Sequence, residues 1–497
     1  IIMKPSKYQL AIYDAFDNTR DNINISAVAG SGKTTVLIEL LKHVPSDSKA
    51  LFLAFNNSIV DELRDRVEEA DNVEISTIHS YGWRSILCRY GSKVKMNPNK
   101  AIAKTEKVLK DYKDKISEKK KGWFFYIIPK IEDLLRCNLK EPTSESINEI
   151  AEYYDLNISE LEVEIAIKVF KEMQRDKSQF DFIDMIYQPS IDRSLRLKKF
   201  DYVFCDESQD FSLAQQEIIR LTLNRKGRLI TVGDERQSIY GFAGADADSY
   251  NRLSKINGEA LNLPLSVSYR CAKNIVREAQ EIVPEILYSD NAIEGKVEKG
   301  SLIDLQYGDW ILCRNLKPLV QTYIWLMKNK VKSKIRGKEI GEGILSLISK
   351  TGAKTIRGLN VLLDVEREKL IKKLKKRGVR HPSLHPKMEV LSQNVEVINY
   401  LSLEVKTVDG LVRLIKNIFS DDIKGILLST IHKAKGLEND KIFFLCPELI
   451  PSKFATQDWQ LEQEQNLKYV AITRAKSELI YVTGSQFKED LKSKIII

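Results

Sequence analysis

Cysteine is sparse in this chain and scattered. The six residues Cys88, Cys137, Cys205, Cys271, Cys313 and Cys446 stand far apart, and no pair has the spacing of a metal knuckle or a redox motif. A disulfide scaffold is therefore excluded, and reduced, mostly buried thiols are expected. Histidine is scarcer, with five residues in 497. His381 and His385 are four apart, but each precedes a proline (HPSLHP), which reads as an extended loop without a carboxylate cluster beside it. No metal site is expected there. The sequence also lacks a signal peptide, a low-complexity linker and any apolar run long enough to span a bilayer. A soluble cytoplasmic protein is expected, associated with the nucleoid if bacterial or viral and nuclear if eukaryotic.

What is present is ordinary core-forming composition, 43% hydrophobic, in a length that suggests about three domains. The formal net charge of +9 mildly favours a polyanionic partner. The apolar pattern alternates strand and helix. Ile23–Ser26 reads as a strand, Lys49–Phe55 (KALFLAF) as a buried one, Ser58–Glu69 as an amphipathic helix and Val73–Thr77 as another strand. The rhythm stops between about 81 and 199, where a lysine-rich helical pattern takes over, and it resumes at Phe200. A second series starts near Leu263, with Leu265–Ser268 read as a strand, and it breaks from about 341 to 420 before resuming. The expected boundaries are 1–80, 81–199 (helical insertion), 200–262, 263–340, 341–420 (a reduced, basic insertion) and 421–497. This is an α/β chain of two parallel-sheet domains, each interrupted by a mainly helical insert.

Three stretches carry chemistry. Ala27–Thr35 reads AVAGSGKTT between a strand and a helix, the context of a phosphate-binding P-loop. Ala29, Gly30, Ser31 and Gly32 let backbone N–H groups curl around a polyphosphate; Lys33 would reach the outer phosphates, Thr34 a Mg²⁺ ion, and Thr35 is a further nucleotide-binding candidate. Phe204–Asp210 (FCDESQD) ends a strand with Asp206, suited to the metal, and Glu207, suited to polarising an attacking water. Thr231–Asp246 (TVGDERQSIYGFAGAD) offers Gln237 to a phosphate oxygen, with Tyr240 and Phe242 placed to stack on bases.

These stretches, in this order, resemble the superfamily 1 DNA helicases of the UvrD/Rep/PcrA type. The likeness covers both α/β domains and is weak over the two inserts. It implies two RecA-like domains, ATP and Mg²⁺ as cofactors, and single-stranded DNA and strand junctions as partners, with replication or repair proteins beyond them and a monomeric state. By resemblance, Gln9 reads adenine, Tyr269 stacks on the base, Glu438 meets the sugar, and Arg270 and Arg474 close on the γ-phosphate. Phe55 and Asn57 (AFNNS), Thr77, His79 and Ser80 (STIHS), and His432 and Lys435 (STIHKAKGLE) match DNA-contacting segments.

The sequence also departs from the family. Phe242-Ala243-Gly244 stands where many relatives read Trp-Arg-Gly, Glu464-Gln465-Asn466-Leu467 where many read Glu-Arg-Arg-Leu, and the second insert is short. The implied activity is ATP-driven 3′→5′ translocation with duplex unwinding. A protein-displacing translocase that unwinds weakly, and a nucleotide-gated DNA-binding switch, are the alternatives. The basic tracts Lys119–Lys121 and Lys372–Arg377 read equally as duplex-phosphate contacts or as solvated helix faces. Trp123–Tyr126 is expected in the core of the first insert.

Overall fold

The computed structural model describes residues 5–495 except 55–56, 67–71, 117, 155, 157, 240, 242–243, 245, 247, 376–381, 385 and 420–424. The chain divides into two compact units, Ile1–Val267 and Ser268–Ile497.

The first unit is built on the strands β1 Ile23–Ala27, β2 Ala50–Ala54, β3 Val73–Thr77, β6 Phe200–Cys205, β7 Leu223–Gly233 and β8 Leu261–Leu265. Two further short strands, β4 Lys95–Met96 and β5 Gln179–Phe180, pair with each other inside the insertion. The main sheet runs β3-β2-β6-β7-β1-β8, with parallel pairing throughout. Strands covered on both faces must be apolar along their length, and every residue of Ala50–Ala54 is buried. Parallel order also places the ends of β1, β3, β6 and β7 along one edge, where a ligand site is expected. Since β7 lies between β1 and β6, the tips of β1 and β6 stand about 10 Å apart. Side chains from the turns can fill that gap.

The helical insertion has its own core, centred on Ile127, Ile131, Leu135, Ile165 and Val169. Trp123 and Phe124 are buried in it and Phe125 packs against it, as expected, whereas Tyr126 at the end of the run is half exposed.

One expected boundary is corrected. Leu261–Leu265 is the edge strand of the first sheet, with Leu263 opposite Ile25, so the first unit extends beyond 262 through Val267. The expected strand Leu265–Ser268 is split accordingly. An edge strand is paired on one side only and tolerates Asn262 and Pro264, which hid it from an apolar-run reading.

A short two-stranded pair, β9 Val267–Ser268 and β10 Leu287–Tyr288, starts at the boundary between the units. The main sheet of the second unit comprises β11 Lys296–Lys299, β12 Trp310–Cys313, β13 Ser333–Ile335, β14 Ile426–Thr430, β15 Asn439–Leu445 and β16 Ala475–Val482, ordered β11-β16-β15-β12-β14-β13 and again parallel. Its insertion consists chiefly of the helices Lys338–Thr351, Ile356–Lys375, Pro386–Ser402 and Val408–Ile418. Unlike the first, this insertion has no separate core among the described residues. Ile344, Leu359, Leu363 and Val395 belong to one apolar cluster with Ile311, Leu319 and Leu428 of the sheet layer. No helix among the described residues is long and apolar enough to cross a membrane.

Candidate nucleotide and nucleic-acid site

The turn after β1 is shaped by two glycines in the left-handed region, Gly30 (φ 72°) and Gly32 (φ 80°), where a Cβ would be strained. Ser31 is fully buried, and its hydroxyl donates to the Val28 carbonyl at 2.8 Å, pinning the loop. Gly32 caps the helix Lys33–Lys42 and has no side chain to satisfy the first-turn N–H groups. This helix N-terminus is therefore suited to an anion. The side chain of Gln9, on the helix Lys7–Asn18, stands beside Gly32: its Nε2 lies 3.9 Å from where a Cβ at Gly32 would sit.

The acidic pair meets this loop. Lys33 Nζ donates to Glu207 Oε2 at 3.1 Å, and Thr34 Oγ1 donates to Asp206 Oδ2 at 2.9 Å. Glu207 sits in the left-handed region (φ 53°), uncommon for a residue with a side chain, and its N–H donates to Asp206 Oδ1 at 2.8 Å. Burial, and then the neighbouring Glu207 charge, push the Asp206 carboxyl up to about 6, against the pull of Lys33, the Thr34 hydroxyl and the Glu207 N–H. Burial would lower the Lys33 ammonium, but Glu207, Asp234 and Asp206 outweigh it and hold the pKa above the usual value.

The donor set fits Mg²⁺. A hydroxyl and a carboxylate oxygen lie within hydrogen-bonding distance of one another beside a phosphate cradle, and a hard cation takes such ligands together with phosphate oxygens and water. Thr34 and Asp206 would hold the ion, and when bound it would neutralise phosphate charge.

A relay leaves Glu207 in the other direction. Gln209 Nε2 donates to Glu207 Oε2 at 2.6 Å, while Gln209 Oε1 accepts from the Asp234 N–H at 2.9 Å. Gln237 Nε2 then donates to Asp234 Oδ2 at 2.6 Å. The relay needs Gly233, because a Cβ there would meet Ser208 Oγ at 2.4 Å and Gln209 Oε1 at 2.8 Å. Neither Gln209 nor Asp234 was expected as a site residue. The available signal was a neutral amide set among the acids of DESQD. Gln209→Ala is expected to lower ATP turnover about 10- to 100-fold by freeing Glu207 from its orientation, with little change in ATP affinity. Steady-state kcat and KM check this, and an unchanged kcat would remove Gln209 from the relay.

Both units use the same strand-to-helix junction. Ser76-Thr77-Ile78-His79 ends β3 and opens the helix Ile78–Tyr90; Ser429-Thr430-Ile431-His432 ends β14 and opens Ile431–Ala434. The serine hydroxyl donates to the following threonine carbonyl at 3.0 Å in each. Thr77 caps its helix by accepting from the Ser80 N–H at 3.2 Å, and its hydroxyl donates to Ser80 Oγ at 2.9 Å. Burial lowers the pKa of His79; burial, then Arg314 and Lys433, push that of His432 down to about 3. Burial thus disfavours the imidazolium form of both side chains. Lys435 follows the second junction, just before Gly436 (φ 83°).

In the second unit, Arg270 pairs with Glu438, and its Nη1 donates to the Thr473 carbonyl at 3.3 Å. Lys476 Nζ also contacts Glu438, at 3.0 Å. Burial would raise the Glu438 carboxyl, but Arg270 and Lys476 hold it below the usual range. Arg474 is 1% exposed; its Nε donates to the Val470 carbonyl at 3.1 Å and its Nη1 to the Leu437 carbonyl at 2.9 Å. Tyr269, immediately before Arg270, is partly buried.

Two family models match: the UvrD/REP helicase N-terminal domain over residues 11–256 and the UvrD-like helicase C-terminal domain over residues 387–486. The chain belongs to the UvrD/REP helicase family. Among its relatives, the ATP-dependent DNA helicase PcrA of Bacillus subtilis is 30% identical over 305 residues, covering 56% of this chain and 40% of that protein. PcrA of Staphylococcus epidermidis is 28% identical over 316 residues (57% and 42%), and that of Staphylococcus aureus 29% over 295 (54% and 39%). The chain thus spans less than half the length of these curated relatives. In this UvrD/REP member, Phe55, Tyr240 and Phe242 lie outside the described residues, as do His381 and His385. Asn57 opens the helix Asn57–Arg66, and its side chain is not described.

Proposed function

We propose that the chain is an ATP- and Mg²⁺-dependent motor that moves 3′→5′ along single-stranded DNA and separates duplex at junctions. The observation that carries this reading is the meeting of Lys33 and Thr34 with Glu207 and Asp206, joined through Gln209 to the Asp234–Gln237 turn. That turn leads into the segment of Tyr240 and Phe242. A change at the γ-phosphate can therefore be passed through hydrogen bonds as far as the Asp234–Gln237 turn. Glu207 orients and deprotonates the attacking water, while Lys33 holds the outer phosphates. Gln9 is the proposed adenine-reading residue of the first unit, and Tyr269 the proposed base-stacking residue of the second. Arg270 and Arg474 are the proposed stabilisers of the transferred phosphoryl charge, Arg270 by exchanging Glu438 for phosphate and Arg474 by leaving the Val470 and Leu437 carbonyls that now hold it. ATP then favours a state with the arginines engaged, and ADP one with them released. Phe55, Asn57, Thr77, His79 and Ser80 hold the strand on one unit, and His432 and Lys435 on the other.

A forked duplex with either a 3′ or a 5′ single-stranded tail tests the reading. Displacement of the 3′-tailed substrate alone is expected, and displacement of the 5′-tailed one alone would reverse the polarity. A second reading, a translocase that strips proteins and unwinds poorly, is favoured by the short second insertion packed into the core of its own unit. Translocation without displacement of either fork would select it. Phe242→Ala is expected to weaken strand binding about 5- to 100-fold, with near-normal basal ATP turnover. Unchanged strand affinity in a fluorescence titration would remove Phe242 from the site.

A further inference from the structure

The second insertion is joined to its sheet by charge as well as by apolar packing. Arg314 follows β12, and its guanidinium lies between two helices. Its Nε donates to Glu464 Oε1 and Oε2 at 3.0 and 3.1 Å, and its Nη2 reaches Glu464 Oε1 at 2.9 Å and Glu389 Oε1 at 3.2 Å. Glu464 lies in the helix Asp458–Ile472, and Glu389 in the insertion helix Pro386–Ser402. Ser452 closes the group: its N–H donates to Glu464 Oε2 at 2.9 Å and its hydroxyl to Glu389 Oε1 at 3.0 Å. All three charged side chains are at least 85% buried, with exposures of 12% for Arg314, 15% for Glu389 and 9% for Glu464. A guanidinium fork shared between two carboxylates in such a place fixes direction as well as distance.

The helix so held ends at Thr473 and Arg474. Thr473 is its C-cap residue, and the Thr473 carbonyl accepts from Arg270. Helix Asp458–Ile472 is thus a rod with the Arg314 junction near its middle and both candidate nucleotide arginines at its end.

We propose that Arg314 is a positioning residue through which the second insertion, by way of Glu389, sets the placement of Arg270 and Arg474. The proposal rests on the reading that those two arginines act on ATP. It assigns the short insertion a task inside its own unit, that of bracing the helix that presents the arginines. A rearrangement of the insertion would be felt at the nucleotide through Arg314.

Glu389→Gln tests this, because it removes one charge and keeps the shape and an oxygen for Ser452. Glu396→Gln is the control: Glu396 lies on the same insertion helix and pairs with Lys317 at 3.4 Å on the surface. In full-length protein, Glu389→Gln is expected to speed amide exchange at Val470–Thr473 by about tenfold, with the rest of the sheet unchanged. It is also expected to lower strand-stimulated kcat about tenfold at constant KM for ATP. Arg314→Lys, which keeps the charge and loses the fork, should behave like Glu389→Gln. Unchanged exchange at Val470–Thr473 would overturn the proposal, as would uniform loosening of the second unit with a matching fall in Tm. If wild-type turnover does not respond to strands, the motor reading fails while the exchange result still decides the role of Arg314.

Discussion

Glu207→Gln is expected to lower ATP turnover by about 10²- to 10⁴-fold while leaving ATP binding intact. The amide keeps the size of the carboxylate but cannot take a proton from water. The Glu207 carboxylate lies 3.1 Å from Lys33 Nζ. Neutralising it frees the ammonium for phosphate, so affinity for ATP should hold or improve. Lys33→Met should instead weaken binding and turnover together, since it removes the cation rather than the base. Equilibrium binding of a fluorescent ATP analogue, alongside phosphate release, separates the two. Turnover within about threefold of wild type in Glu207→Gln would take the base role away from this residue.

The largest stability effect is expected in the first insertion. Arg136 is fully buried; its Nη1 donates to Asp181 Oδ1 at 2.7 Å and Asp184 Oδ1 at 3.2 Å, and its Nη2 to Asp133 Oδ1 at 2.9 Å. Lys100, equally buried, donates to Asp184 Oδ2 at 2.7 Å. Arg136→Met would leave the buried Asp181 carboxylate without its cation and Asp184 with Lys100 alone, and is expected to cost about 3–5 kcal/mol, read from urea unfolding. A loss below about 1 kcal/mol would show that these charges reach water.

Glu132 next to it has the opposite sign. Both its carboxyl oxygens are buried without a hydrogen-bond partner, and burial, partly offset by Arg136, raises its pKa well above the ordinary value. The folded chain therefore keeps a proton that the unfolded chain releases above about pH 4.3. Stability is lost as pH rises from there towards the folded pKa, and Glu132→Gln should remove that part of the loss. An identical pH dependence in the variant would mean that Glu132 is ionised in the fold.

Much of this was legible in the sequence because parallel strands covered on both faces must be continuously apolar. KALFLAF and the runs at Phe200–Cys205 and Ile426–Thr430 could hardly be read otherwise. The P-loop and acidic pair were legible because phosphate chemistry fixes residue type and spacing. Two of the edge strands were not: Lys296–Lys299 is mostly charged, and Leu261–Leu265 contains a proline. Each is constrained from one side only. The Gln209–Asp234 and Arg314–Glu389–Glu464 contacts were hidden for another reason. They join residues 25, 75 and 150 positions apart, which only the folded sheet brings together. The shared core of the second insertion was equally invisible, since its apolar periodicity does not say which surface it meets.

The most direct measurement is phosphate release by the wild-type chain with ATP and Mg²⁺, as a single-stranded oligonucleotide is titrated in. Turnover should rise at least about tenfold and saturate with strand concentration, because strand binding completes the site that Glu207 serves. A rate that stays flat across the titration, in protein that binds both ATP and the strand, would contradict a nucleotide site coupled to a moving strand.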